Sequence, residues 1–395
     1  MKKTKILIIM QSMNVGGVER ALISLLAVIP EDKYTVDLIL SKKTGDFLSR
    51  IPEHVRISEA PYKKNIRSGE GLGEILDNLI ADRKYITWIK LLMATVMSKL
   101  LHVDTLSTKV LYQTDECKYD YLFNFAGINT LTHLLSKNVF RADYKYIWVH
   151  GDSDKEGFVK YAESYSLYDH VFCVSEKVTD KFRKFMPQMA AKASTIYNEI
   201  DKKGIVRQGD EGQGLTRISN ETIILTVGRL DACKGYDIAI EACSKLLNDG
   251  YNVKWYVIGE GIERDKLESA VRQKNMYDSF ILLGLKANPY PYYRTTDIYV
   301  QTSISEGYCI TLAEAKAFKK PIVTTDFSGA DEQIINGENG YIVSTDANVV
   351  AKSIELLIDN EETMVRFSDM LSRENSSRSF DKLEKIMNSD RNRKS

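Results

Sequence analysis

The feature that most limits the fold is a rhythm that occurs twice along the chain. Short apolar runs rich in β-branched residues alternate with helix-length amphipathic stretches, the pattern of a parallel sheet covered by helices. In the first half the runs are Lys5 to Met10, Thr35 to Ser41, Tyr121 to Phe125, Tyr146 to His150 and His170 to Val174. In the second half they are Thr222 to Val227, Val253 to Gly259, Phe280 to Leu283, Ile298 to Gln301 and Pro321 to Thr325. Between the sets, Asp201 to Asn220 contains GDEGQG and no apolar periodicity, so it reads as the linker. Two such α/β halves predict two Rossmann-like parallel-sheet domains facing one another. The ligand site is then expected in the cleft between them, beyond the carboxyl ends of the strands. The expected domains are 1–200, with a helical insertion at about 66–115, and 201–378. Residues 379–395 are expected to form a helix over Ser379 to Asn388 that could cross back to the first domain, and then a frayed RNRKS tail.

Charge and cysteine usage narrow the function classes. Fifty-four Lys and Arg balance fifty-four Asp and Glu, so no global field draws the chain onto nucleic acid. Any bound anion must be held by a local arrangement. Five cysteines without a CxxC fit neither a disulfide framework nor a zinc site, and a reducing compartment follows. Lys2, Lys3 and Lys5 precede an apolar run too short for a signal peptide, and no stretch reaches the ~18 uncharged apolar residues of a membrane span. The expectation is a cytoplasmic protein, held to a membrane only at its surface if at all.

One segment breaks the rhythm. From Lys84 onward it carries Lys84, Lys90, Lys99 and His102 with no acid, and Ile86, Ile89, Met93, Val96 and Leu100 recur at helical spacing beside Trp88. A basic amphipathic helix over 84–102 can make peripheral contact with an anionic membrane. It can equally pack its apolar face on its own domain and leave the lysines in solvent.

Three constellations carry chemistry. Gly16 and Gly17 lie between the first strand and the helix Ala21 to Val28, where the backbone can approach a phosphate and the helix start offers N–H groups. A tight connection alone would explain the same pair. Arg229 and Lys234 sit five apart in the loop after Thr222 to Val227, where two cations can neutralise a diphosphate and the charge developing on it as it leaves. Glu306 and Glu314 flank seven residues in SEGYCITLAEA, the first in a loop and the second two turns into a helix whose small Ala313, Ala315 and Ala317 imply close packing. A carboxylate so placed commonly accepts hydrogen bonds from ribose hydroxyls. Glu306, Gly307 and the N–H groups of Tyr308, Cys309, Ile310 and Thr311 would meet the rest of the ligand.

Two motifs are weaker. Asp152-Ser153-Asp154 has the DxD form that can hold a divalent metal on a diphosphate, but it lies in the first domain, away from the Arg229 and Lys234 cations. No metal and no cofactor are therefore expected. Gly259-Glu-Gly261 is an incomplete dinucleotide fingerprint, because Arg264 stands at its last glycine position.

The loops Gly16-Gly17-x-Glu19-Arg20, VGRLDACKG, EGYCITLAEA and SGADEQIINGENGYIV together resemble the retaining glycosyltransferases of family 4, which have the GT-B fold. The likeness extends to bacterial enzymes of capsule and exopolysaccharide synthesis, although Tyr308-Cys309 stands where many of these have Phe-Gly. It implies a first domain for the acceptor and a second for a nucleotide sugar. Glu314 then serves the ribose, Glu306 the sugar ring, and Arg229 with Lys234 the diphosphate, with Gly16 and Gly17 closing over the same phosphates. Gly284 and Leu285 complete the donor-binding set, and His150 takes the family's histidine position beside the transferred sugar. Ser175 is expected to cap a helix. Asn198 begins a turn in which Glu199 replaces the family's glycine.

The implied reaction is metal-independent transfer of a hexosyl group, with retention, from a nucleotide diphosphate sugar (a UDP-sugar) to a saccharide or lipid-linked saccharide acceptor in surface glycan synthesis. Another GT-B activity, such as a phosphorylase or an inverting transferase, is one alternative. A noncatalytic GT-B binding subunit is the other.

Overall fold

The computed structural model describes residues 3–101, 105–113, 117–218, 220–373 and 379–394. The chain divides into two compact units, one of Met1–Val174, Thr179–Glu199 and Lys382–Ser395, the other of Ser175–Val178 and Ile200–Asp381.

The first unit holds seven strands: β1 (Thr4–Met10), β2 (Tyr34–Leu40), β3 (Arg56–Glu59), β4 (Lys118–Asn124), β5 (Arg141–Val149), β6 (His170–Cys173) and β7 (Ala193–Thr195). Their order is β3-β2-β1-β4-β5-β6-β7, and every pair is parallel. The second unit holds β8 (Thr222–Val227), β9 (Val253–Ile258), β10 (Phe280–Leu282), β11 (Ile298–Gln301), β12 (Ile322–Thr325) and β13 (Tyr341–Val343), in the parallel order β10-β9-β8-β11-β12-β13. Each order reverses once, beside β1 and β4 in one sheet and beside β8 and β11 in the other. Such a switch point opens a crevice at the carboxyl ends of the two strands that flank it. These are the sheets of the GT-B fold.

Helices cover both faces of each sheet, so central strands such as Ile6 to Ile9 and Ile223 to Leu225 are almost wholly buried. Three strands lack a sequence signal, and all three are sheet edges. β3 reads RISE and is mostly exposed, while β7 and β13 have three residues each. The central strands β4 and β5 begin earlier than their apolar runs, at Lys118 and Arg141, because their first residues include exposed polar ones that still pair.

Two expectations change. The linker Asp201 to Asn220 contains a helix, Lys202–Gly209, whose N-cap is Asp201 Oδ1 accepting from the Gly204 N–H at 2.9 Å. Its eight residues bury only Gly204, Ile205 and Gly209, too few to show as a period. The final helix runs over Ser379–Lys394, so Arg391 to Lys394 are helical rather than frayed. Helix α1 (Gly17–Val28) is followed in chain order by α2 (Leu72–Ala81) and α3 (Tyr85–Leu101). In α3 the stripe left open between core and membrane surface, Ile86, Ile89, Met93 and Val96, faces solvent, and the residues that turn inward are Trp88, Leu91 and Ala94. His102 and the side chains of Lys99 and Leu100 lie outside the described residues.

Candidate active site

In the second unit the switch point brings together two loops from distant parts of the sequence. The first leaves β8 as Gly228 to Gly235 and the second leaves β11 as Thr302 to Cys309. They are tied by the Ile304 N–H donating to the Cys233 carbonyl (2.8 Å) and the Thr302 hydroxyl donating to the Lys234 carbonyl (3.1 Å). Gly235 makes the fit possible: its φ is +61°, and a Cβ there would lie 2.1 Å from the Thr302 carbonyl oxygen.

This junction pairs Lys234 Nζ with Glu306 Oε1, both side chains largely buried. Burial alone would pull the Lys234 ammonium down, but the Glu306 carboxylate outweighs it and leaves the pKa above the ordinary lysine value. Behind the pair runs a chain of hydrogen bonds. Ser303 Oγ donates to Glu306 Oε1 at 2.8 Å, Gln301 Nε2 to Ser303 Oγ at 2.7 Å, and the Tyr299 hydroxyl to Gln301 Oε1 at 2.6 Å. Tyr299, Gln301 and Ser303 were not among the predicted site residues. Their signal is a run of polar side chains at the end of a buried strand, where each must find a partner.

Glu314 sits on helix Ile310–Ala317 with 1% of its surface exposed. The hydroxyls of Tyr290 and Tyr293 each donate to one of its carboxylate oxygens at 3.0 Å. The segment between the two glutamates is held from behind by Gln333, whose Nε2 donates to the Tyr308 carbonyl and, at 3.4 Å, to that of Cys309. Gly307, Tyr308, Ile310 and Thr311 follow this clamped backbone. Cys309 caps the helix with φ 60°, a left-handed conformation that favours glycine, and burial pushes its thiol up to about 12.

Arg229 is placed differently from Lys234. It is 77% exposed and pairs with Asp231 at 3.3 Å, so the two cations are not held at one point. Gly284 follows β10 with φ 73° and accepts through its carbonyl from the Gly259 N–H at 3.1 Å, while Leu285 is about half exposed.

In the first unit, Gly16 is the extended N-cap of α1 and Gly17 its first residue, so the helix begins four residues before the expected Ala21. A Cβ on Gly16 would lie 2.2 Å from Glu19 Oε2, so the glycine leaves room for that carboxylate to fold back over the helix start. His150, just past β5, donates from Nε2 to the Phe125 carbonyl at 2.7 Å. Burial pushes its imidazole down to about 4, partly offset by that carbonyl. The ring is therefore neutral near neutral pH, with Nδ1 an acceptor that has no partner. Asp152 pairs with Lys181 at 2.5 Å and Asp154 caps Lys155–Val159 through the Gly157 N–H, so the DxD carboxylates already have work. Ser175 Oγ accepts from the Val178 N–H at 3.3 Å, as a cap should. Glu199, in the glycine position of its turn, is not among the left-handed residues.

Residues 210–370 match the family model of the glycosyl transferases group 1. This stretch is similar to the group 1 glycosyl transferases. It contains both switch-point loops, Lys234, Glu306 and Glu314. Similar proteins include the N-acetylgalactosamine-N,N'-diacetylbacillosaminyl-diphospho-undecaprenol 4-alpha-N-acetylgalactosaminyltransferase of Campylobacter jejuni, 30% identical over 173 residues, which are 43% of this chain and 46% of that protein. The capsular polysaccharide biosynthesis glycosyltransferase CapM of Staphylococcus aureus is 30% identical over 146 residues, 36% of this chain and 38% of CapM. The chain thus matches less than half the length of either relative. Among solved structures, S. aureus TarM in complex with fondaparinux, alpha-GlcNAc-glycerol and UDP has a TM-score of 0.70 at 14% identity, covering 98% of this chain and 100% of that one. Anabaena HepE in complex with UDP and glucose has a TM-score of 0.65 at 16% identity, covering 92% of each. The described residues thus have the GT-B fold, and the match to the group 1 glycosyl transferases lies in the second unit.

Proposed function

We propose that the chain is a retaining hexosyltransferase. It moves a sugar from a nucleotide diphosphate sugar, a UDP-sugar, to a saccharide or lipid-linked saccharide acceptor in bacterial surface glycan synthesis, with no metal or cofactor. The observation that carries the reading is the buried Lys234–Glu306 pair at the switch point of a domain similar to the group 1 glycosyl transferases, backed by its chain of hydrogen bonds. A buried charge pair is costly to maintain for stability alone. The names of the Campylobacter and CapM relatives support the surface-glycan setting, and the UDP bound by TarM and HepE supports the donor class.

In this reading the donor diphosphate meets Lys234, and Arg229 swings from Asp231 to join it. The acceptor, taken by the first unit, attacks the anomeric carbon through its hydroxyl oxygen on the face from which the diphosphate departs. The carbon–oxygen bond to phosphate breaks with its electron pair on oxygen, and that oxygen takes the acceptor's proton. Lys234 stabilises the leaving charge, and the Glu306 carboxylate stabilises the positive charge on the ring. The Glu314 carboxylate serves the ribose hydroxyls, and neutral His150 contacts the sugar through an uncharged ring. The test is a panel of nucleotide sugars screened for thermal stabilisation, followed by NMR of the freshly made glycoside. A UDP-sugar should raise the melting temperature and yield a product of unchanged anomeric configuration. No stabilisation by any nucleotide sugar, or an inverted product, overturns the proposal.

A further inference from the structure

The stretch SGADEQIINGENGYIV has no task in the proposed reaction, yet one of its side chains reaches the loop between Glu306 and Glu314. Gln333 follows β12 in a turn anchored by the buried Ala330 and Ile334, and its N–H donates to the Ala330 carbonyl at 3.0 Å. Its own carbonyl accepts from Lys316 Nζ at 2.6 Å, near the end of the helix Ile310–Ala317. Its carboxamide reaches the other end of that helix, where Nε2 donates to the Tyr308 carbonyl and, more weakly, to that of Cys309 at 3.4 Å. One residue thus grips the helix of Glu314 at both ends.

The grip fixes a direction. The peptide bonds of the described residues are trans, and in a planar trans peptide the carbonyl and the N–H point opposite ways. Holding the Tyr308 carbonyl at Gln333 therefore turns the Cys309 N–H away from Gln333. The next two N–H groups, of Ile310 and Thr311, open the helix and have no partner within it. Among the described residues, none of these three N–H groups is paired with an acceptor.

Stability does not account for the amide. Gln333 is 5% exposed, and its Oε1 is buried with no partner. A buried acceptor left unpaired is destabilising, and an apolar side chain of similar length would fill the same space without that cost. What the amide adds is a neutral donor on the Tyr308 carbonyl. We infer that Gln333 is a positioning residue for the donor substrate: its carboxamide sets the plane of the Tyr308–Cys309 peptide and so aims the Cys309 N–H, beside those of Ile310 and Thr311, at the diphosphate. The inference rests on the nucleotide-sugar reading, because the anion these groups meet is the donor's.

The test compares UDP binding by the wild type, Gln333→Met and Gln333→Glu in titration calorimetry, with urea midpoints taken in the absence of UDP. Gln333→Met keeps the length of the side chain and deletes the N–H donor. It should bind UDP about tenfold more weakly or worse, the worth of one charge-assisted hydrogen bond, while its midpoint stays at or above that of the wild type. Gln333→Glu adds a pH profile. Burial and the facing carbonyls favour the protonated acid, which can donate as the amide does, over the carboxylate, which cannot. Relative to the wild type at the same pH, its affinity for UDP should recover as pH falls from about 8 to about 5.5, and that of Gln333→Met should not. Wild-type affinity in Gln333→Met, or a midpoint that falls along with its affinity, overturns the inference and leaves the nucleotide-sugar reading standing. A Gln333→Glu variant that does not recover at low pH overturns it as well. A wild type that binds no UDP removes the nucleotide-sugar reading itself, and the inference falls with it.

Discussion

Neutralising both ends of the Lys234–Glu306 pair separates what it does for folding from what it does for turnover. Removing one partner of a buried ion pair costs about 3–5 kcal/mol, because the other charge is left without compensation. Here both side chains keep slight exposure, 15% and 12%, and Ser303 still donates to the carboxylate, so Lys234→Met belongs near about 3 kcal/mol. Glu306→Gln belongs near about 2 kcal/mol, since an unpaired buried ammonium can relieve itself by losing its proton. The double variant leaves no buried charge, and its loss should fall short of the sum by about 2 kcal/mol or more, the coupling of residues in contact. The sign of the lysine shift fixes where this holds. Its raised pKa means the contribution is complete below the ordinary 10.5 and is lost only as pH rises through the higher folded value, so the pair's contribution in the wild type should not vary near neutrality. Turnover should behave otherwise: each single variant loses about a hundredfold to a thousandfold, and the double variant recovers none of it. Urea denaturation and initial rates of donor consumption read the two quantities on the same preparations. Stabilities that add within about 0.5 kcal/mol, or transfer restored in the double variant, would falsify the reasoning.

His150 makes stability depend on pH in the acid range. Its folded pKa of about 4 lies below the ordinary 6.5, so its contribution is complete above about 6.5 and declines by about 3 kcal/mol as pH falls toward about 4. His150→Gln should flatten that slope in urea titrations, and an unchanged slope rejects the assignment. Tyr293→Phe removes a donor from the buried Glu314 carboxylate and should cost about 1.5–3 kcal/mol, with an unmoved denaturation midpoint as the contrary result. Cys309→Gly and Cys309→Ala both delete the thiol, but only glycine relieves φ 60°. The glycine variant should be more stable than the alanine variant by about 1 kcal/mol, and equal midpoints would show that the turn is not strained.

Much of the fold was legible because buried parallel strands advertise themselves. Thr222–Val227 and Ile298–Gln301 coincide with their apolar runs, since both strands are covered on both faces. The edge strands β3, β7 and β13 were silent, and so was the helix at Lys202–Gly209, because none of them buries enough apolar surface to impose a period. At the site, spacing marked Glu306, Glu314 and Lys234, but it could not show that Tyr290 and Tyr293 converge on Glu314 from another helix. Nor could it show that Arg229 turns outward to Asp231, since a five-residue interval is equally compatible with either direction. The direction of the apolar arc of α3 was left open for a related reason. A helix with two apolar sides has a periodic stripe on each, and periodicity does not say which one the core takes.

The C-terminal helix shows how a polar tail can be fixed by partners that lie far away in sequence. SDRNRKS has the composition of a frayed end, yet the first sheet presents tyrosines that need acceptors. The Tyr121 hydroxyl donates to the Met387 carbonyl at 2.7 Å, and that of Tyr144 to the Asp390 carbonyl at 2.6 Å. The Asp390 carboxylate, itself buried, takes the Tyr146 hydroxyl at 2.6 Å and faces His170 Nε2 at 3.0 Å. Asp390→Ala leaves the wholly buried Tyr146 without its acceptor, which should cost about 3 kcal/mol once the bond to a charged group is counted. Asp390→Asn keeps a carbonyl oxygen to accept from Tyr146 and should recover about half of that. Arg391→Ala, by contrast, breaks an exposed bond to Thr4 and a surface ion pair with Asp120 at 3.9 Å, and should stay within about 1 kcal/mol. Trp148 reports on this region, since its ring lies 4.9 Å from Phe172, which in turn stacks on His170 at 5.7 Å. Its fluorescence on urea denaturation should rank the variants Arg391→Ala, Asp390→Asn, Asp390→Ala in order of increasing loss. If Asp390→Ala and Arg391→Ala behave alike, the tyrosines hold the helix through its backbone alone, and the carboxylate has no part in it.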